Sequence, residues 1–217
     1  MKKILFSDRY GLTQAVLAGK KTMTRRIIPP IEIDWNRRGK VTLPVSRLKG
    51  ETLFMDASGV LDEEFEYPAP AEYQPRFLTG ETVAVAQSYK DAGLPPGYII
   101  DEFHPNIEYE AGWRNKMFVQ AVQMPHLVRI VNVRIERMQD ITSEDCFREG
   151  IFRFNLHHHE RYAYTVRRKI GDDETIVEFK PFDSPREAFA SLIDKLSGKG
   201  TWENNPLVYV YEFELVK

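Results

Sequence analysis

"LVRIVNVRIERMQDITSEDCFREGI", residues 127–151, contains the change of period on which the fold reading turns. Its first half, Leu127 to Met138, is long and β-branched, which suits a strand. The second half reads as a short helix over 143–149. Thr142 with Asp145 three positions later resembles a capping box, and Gly150 supplies the stop.

Outward from this unit the chain remains mostly strand. "ILF" at 4–6 reads as a short strand, Leu12, Val16 and Leu17 give helical spacing, and Gly19 stops that helix. "ETVAVAQSY" at 81–89 reads as a buried strand after a turn at Gly80, and "KMFVQAV" at 116–122 as another. "DSPREAFASLIDKLSG" at 183–198 is the strongest helix pattern. Ser184 caps it, Pro185 takes the first turn, Glu187 completes the box, and Phe189, Leu192, Ile193 and Leu196 share one face. The chain closes on "LVYVYEFELV" at 207–216, where apolar and aromatic residues alternate. Two turn-rich stretches, at about 30–76 and 151–182, read as insertions into a single domain spanning 1–217, the second with a hairpin. The order lacks the strand-helix alternation of a doubly wound sheet. It predicts a mainly β chain with helices (α+β), built as a small mixed or antiparallel barrel with helices at its mouth.

Composition narrows the function class. With 42% hydrophobic and 29% charged residues the chain can bury a core. A single cysteine, Cys146, excludes an internal disulfide and cannot alone build a zinc site. No apolar run approaches a membrane span and the start does not read as a signal peptide, so the expectation is a soluble cytoplasmic protein with no membrane partner. A net charge of -2 argues against a broad basic coat but leaves room for one focused basic site.

Such a site is visible in "AGKKTMTRRII", residues 18–28. Between Arg9 and Ile31 the chain carries Arg9, Lys20, Lys21, Arg25 and Arg26 and no acidic residue. The end of a helix dipole accounts for Lys20 and Lys21, but not for Arg25 and Arg26. Like charges this close repel unless an anion lies near or they fan into water. In the functional reading they surround a phosphate or another anionic ligand. Crowding also disfavours the charged form of a lysine, making it a candidate base for a threonine nucleophile. Spacing does not choose between Thr22 and Thr24, because Lys21 and Thr24 share a face on a helical turn and not on a strand. Glu149 is the second oddity, a carboxylate at a helix C-terminus, where the dipole disfavours it. It reads either as a solvent-exposed glutamate or as a general acid or base.

"GKKTMTRR", the "GETVAV" strand, "VRIERMQDITSEDCFREGI" and "VYVYEFEL" together resemble the ASCH domain family, over about half of the chain. The resemblance implies a PUA-like β-barrel that binds RNA, a nucleotide or a nucleoside, and no cofactor or metal. Among such proteins are longer phage-associated ones and small bacterial amidohydrolases that deacetylate N4-acetylcytidine. The turn of the latter maps onto Gly19 to Arg26, which implies Lys21, Thr24 and Glu149 as catalytic residues. Lys20, Thr22, Arg25, Arg26 and Tyr89 are the candidate ligand contacts. Where longer ASCH proteins often continue the barrel strand into glutamate and tryptophan, this chain has Gln87, Ser88 and Tyr89. His157, His158 and His159 read as an exposed loop, Cys146 as a small inward-facing apolar residue, and Trp202 as packing beneath the last strand.

Overall fold

The computed structural model describes residues 1–29, 74–93, 111–169 and 175–216, with the backbone of five short strands between 32 and 73. Its centre is a five-stranded sheet in the order β1 (Lys3–Ile4), β8 (Thr82–Val85), β9 (Leu127–Arg137), β14 (Leu207–Leu215) and β2 (Met23–Ile27). β1 runs parallel to β8, and every other neighbouring pair is antiparallel. The two longest apolar patterns in the chain, β9 and β14, therefore form the middle of the sheet. Val128, Ile130, Val208, Val210, Tyr211 and Phe213 are buried there, where β-branched and aromatic side chains pack best.

The described strands do not close into a barrel. β1 and β2 are the sheet's two edges, yet they lie close to one another, because Arg26 Nη2 on β2 donates to the carbonyl of Leu5, just beyond β1, at 2.5 Å. One side chain spans the seam where a ladder would otherwise run.

Three helices position the site. α1 (Leu12–Leu17) ends in a Schellman motif: Gly19 N–H donates to Val16 O at 2.9 Å and Lys20 N–H to Ala15 O at 2.8 Å. Gly19 takes the left-handed φ of +67° that this motif needs. α3 (Ser143–Arg148) is capped by Thr142, whose hydroxyl accepts from Asp145 N–H. α4 (Pro185–Ser197) is capped by Ser184 and buries Phe189, Leu192 and Ile193, while Leu196 is exposed. Two shorter helices are α2 (Tyr89–Ala92) and α5 (Thr201–Asn204).

Around the central sheet are β3 (Glu32–Asp34) with β4 (Lys40–Thr42), and β5 (Val45–Lys49), β6 (Thr52–Met55) and β7 (Ala71–Tyr73) as a three-stranded sheet. Much of the insertion expected at 30–76 lies outside the described residues. The 151–182 stretch holds two antiparallel pairs, β10 (Phe152–Leu156) with β11 (His159–Ala163) and β12 (Val166–Lys169) with β13 (Thr175–Glu178). His157 and His158 form the β10–β11 turn, both at positive φ, and the histidine triplet is exposed.

The strand expected at 116–122 is instead two 3-10 turns, Lys116–Phe118 and Ala121–Gln123. Asn115 begins the first by accepting from Met117 N–H. Met117, Phe118 and Val122 are exposed while Val119 is buried, so the apolar run does not present the alternating face that holds a strand in a sheet. Among the described residues, no helix is long and apolar enough to cross a membrane.

Candidate functional site

Lys21 leaves the end of α1 and enters the protein interior, with only 2% of its surface exposed. Its ammonium donates to Glu149 Oε2 at 2.6 Å and to the carbonyl oxygen of the same residue at 2.7 Å. That carbonyl belongs to the C-cap of α3, where the helix leaves acceptors unfilled and the dipole favours a cation. Glu149 is thus neither an exposed glutamate nor an isolated acid. The lysine that the sequence placed near one helix end caps another.

Arg25 completes the anchorage of Glu149. Its side chain is wholly buried, and Nη1 donates to Glu149 Oε1 at 3.2 Å. Nε donates to Glu136 at 3.0 Å and Nη2 to Asp145 at 3.0 Å. Arg134 bridges Glu136, Asp145 and Glu212, and Arg148 reaches Glu212 at 2.6 Å. The repulsion expected between the clustered cations is therefore relieved from within. Glu136, Asp145 and Glu149 take the place expected for an external anion. Arg25 borders the cavity, but its guanidinium is engaged by protein carboxylates and serves to hold Glu149.

Glu149, Lys21 and Thr24 meet in a cavity of about 450 Å³. Its wall includes the apolar face of α4, Phe189, Leu192 and Ile193, together with Phe6 and Lys116. Thr24 is 5% exposed, and among the described residues its hydroxyl has no hydrogen-bond partner. The other threonine is differently placed. Thr22 N–H donates to Arg148 O at 3.0 Å, Thr22 O accepts from Phe213 N–H at 2.9 Å, and its hydroxyl accepts from Arg148 Nε at 3.3 Å. Thr22 therefore ties β2 to α3, and Thr24 is the threonine that shares the cavity with Lys21.

Burial pushes the Lys21 amine below the ordinary lysine range, the Glu149 carboxylate pulls it back, and Arg26 and Arg25 add to the lowering. The crowding of cations that drew attention in the sequence is thus a lesser cause than desolvation. Cys146 is buried on α3 and its thiol is pushed up to about 12 by that burial, which leaves it inert at neutral pH.

The remaining candidates are dispersed. Arg26 is exposed and borders the cavity. Lys20 is exposed on a separate groove with Gln14, Ala18 and Phe147. Tyr89 lies in a second apolar cluster with Ala84, Ala86, Val119 and Met124, and its hydroxyl accepts from Gln120 N–H at 3.0 Å. It belongs to the core and does not border the cavity of Lys21. Trp202 packs edge-on against Phe189. Sequence reasoning missed Lys116, whose ammonium contacts Asp8 at 2.8 Å and Thr13 Oγ1 at 3.1 Å beside the cavity. Nothing in its local sequence marks it, since the 3-10 turn that carries it was read as strand.

No family model, curated protein or solved structure matches the chain.

Proposed function

We propose that the protein is a PUA-like, ASCH-type protein that accepts a cytidine-like nucleoside or nucleotide and hydrolyses an N4-acyl amide with Thr24, Lys21 and Glu149. One observation carries this reading. Thr24, 5% exposed and with no hydroxyl partner among the described residues, lines the same cavity as a buried lysine-glutamate pair. A hydroxyl, a desolvated amine and a carboxyl group lining one cavity are the parts of an acyl-transfer site.

The proposed roles are these. Across the 2.6 Å contact, the pair exists either as ammonium and carboxylate or as amine and carboxylic acid. In the second form Lys21 is a base and Glu149 an acid, poised together. Thr24 Oγ1 attacks the amide carbonyl carbon as the Lys21 amine takes its proton. The C–N bond breaks as the Glu149 carboxyl protonates the departing amine, leaving an acyl ester on Thr24. Water then attacks the ester, giving its proton to Glu149, and Thr24 leaves with the proton held by Lys21. Acetic acid, which ionises on release, and the free cytosine amine are the products, and both groups return to their starting forms. A Thr24–Lys21 hydrogen bond, not made among the described residues, forms with substrate in place, as catalytic hydrogen bonds are often completed only in the complex. Arg25 supports the cycle by keeping Glu149 oriented.

The test is turnover of N4-acetylcytidine, followed by loss of its acetyl group. Activity abolished by Thr24→Ala, Lys21→Met and Glu149→Gln supports the assignment. Absence of turnover in the native chain overturns hydrolysis and leaves RNA or nucleoside binding, measured across a salt series, as the reading to examine.

A further inference from the structure

A second cleft, of about 290 Å³, opens along the seam between β1 and β2 and shares Leu5, Arg26 and Ile27 with the cavity of Thr24. Its polar lining is unlike that of the first cavity. Lys3, Arg26 and Arg76 border it, and among the described residues no carboxylate does. Lys3 directs its ammonium elsewhere, to the carbonyls of Met117 and Val119 at 2.8 and 2.6 Å. Arg26 and Arg76 remain, both exposed to solvent.

The two guanidiniums stand apart from the other arginines near the site. Arg25, Arg134 and Arg148 are each paired with carboxylates. Among the described residues neither Arg26 nor Arg76 forms such a pair. Arg26 places one N–H on Leu5 O, and Arg76 lies over the Phe77 ring, 5.5 Å from its centroid. The backbone carrying Arg76 is fixed, because its N–H donates to the Tyr211 hydroxyl at 3.1 Å. Two forked donors lining one cleft that holds no carboxylate among the described residues suit a phosphate, which accepts several charge-assisted bonds at once.

Resting on the hydrolase reading above, we infer that this cleft holds the 5′-phosphate of a mononucleotide substrate between Arg26 and Arg76, with the acylated base in the adjoining cavity. Arg26 stands at the junction, bordering both spaces. The preferred substrate is then the nucleoside monophosphate.

The experiment uses the full chain carrying Thr24→Ala, which blocks turnover, and measures binding by calorimetry. N4-acetylcytidine 5′-monophosphate is compared with N4-acetylcytidine, and cytidine 5′-monophosphate with cytidine. Each phosphate is expected to tighten binding about tenfold to hundredfold, the range for hydrogen bonds to charged groups, and Arg76→Gln to cancel most of that advantage. Equal affinity for the two members of each pair overturns the phosphate site, as does an advantage that survives Arg76→Gln. Tighter, Arg76-dependent binding of a single-stranded RNA hexamer overturns the mononucleotide assignment in favour of a polymer. The two readings fail separately. Turnover of N4-acetylcytidine by the native chain without any phosphate advantage keeps hydrolysis and removes the cleft. Arg76-dependent phosphate binding without turnover in the native chain keeps the cleft and removes hydrolysis.

Discussion

Lys21 Nζ lies 2.6 Å from Glu149 Oε2 and 2.7 Å from Glu149 O, so one ammonium holds both the side chain and the main chain of its partner. Replacing either residue therefore changes chemistry and packing together. Lys21→Met and Glu149→Gln are each expected to lower kcat for N4-acetylcytidine by about 10² to 10⁴, the usual contribution of a positioned acid or base. Lys21→Met also leaves a buried carboxylate facing Arg25 alone, and breaking a buried pair costs about 3–5 kcal/mol. The double variant removes both charges and is expected to be more stable than Lys21→Met in urea denaturation. A double variant less stable than either single one would contradict this coupling.

The lowered pKa of Lys21 gives a pH dependence of defined sign. Where the native state holds the amine neutral and the unfolded chain holds it charged, unfolding takes up a proton and stability rises with pH. The window lies between the depressed native value and the ordinary 10.5. The contribution is complete above 10.5 and is lost as pH falls through the native value. Comparing the pH dependence of unfolding free energy in the native chain and in Lys21→Met isolates it, and the variant is expected to show the shallower rise. If Lys21 is the base, kcat/KM rises with pH over a limb whose midpoint lies below 10.5. A limb centred on the ordinary lysine value would remove Lys21 from that role.

Arg25 is expected to matter more for stability than for substrate affinity. Its guanidinium contacts Glu136, Asp145 and Glu149 from a wholly buried position. Arg25→Met removes one partner from each of three carboxylates, which keep Arg134 or Lys21, and is expected to lower stability by about 3–5 kcal/mol. Arg25→Lys is expected to recover little, because a single ammonium does not reproduce a planar fork of donors. Chemical denaturation of both variants, compared at constant m-value, provides the check.

The two glycines that flank the site separate conformational from steric cost. Gly19 is at φ +67°, and a Cβ there would meet nothing within 4 Å. Gly19→Ala therefore carries only the left-handed penalty, about 1–2 kcal/mol. Gly150 is at φ +104°, and a Cβ there would lie 3.2 Å from Leu12 Cδ2 and 3.8 Å from Lys21 Cδ. Gly150→Ala is expected to be the more destabilising change and to depress turnover as well, since Leu12 borders the cavity. Melting temperatures and initial rates of the two variants, measured side by side, decide the point.

Cys146 serves as a reporter. Buried and held at about 12, it is expected to react with a thiol reagent only as the chain unfolds. Rapid labelling under native conditions would show that α3 opens on its own.

Much of this arrangement is legible in the sequence, for identifiable reasons. β9, β14 and the caps of α3 and α4 follow from β-branched runs and local side-chain to backbone bonds, which depend on neighbours within a few positions. Lys21 and Glu149 stand out because each conflicts with its immediate surroundings, and their meeting resolves both conflicts. The partners of Arg25 do not stand out. Glu136 and Asp145 are ordinary surface-type residues in sequence and become half-buried counter-charges only when β2 packs beside β9 and α3. The burial of Tyr89 and the 3-10 turns of 116–122 are illegible in the sequence for a related reason, since which apolar residues face inward there is set by tertiary packing.

Because Arg25 on β2 grips both the strand that carries Glu136 and the helix that ends in Glu149, the groups of the candidate site have no independent assembly step. Strand, helix and acid come together through the same guanidinium that completes the core. Heat or denaturant is therefore expected to extinguish activity and tertiary structure along a single curve. Among the described residues the candidate site is carried by core strand and helix ends, so its integrity is expected to last as long as the fold does.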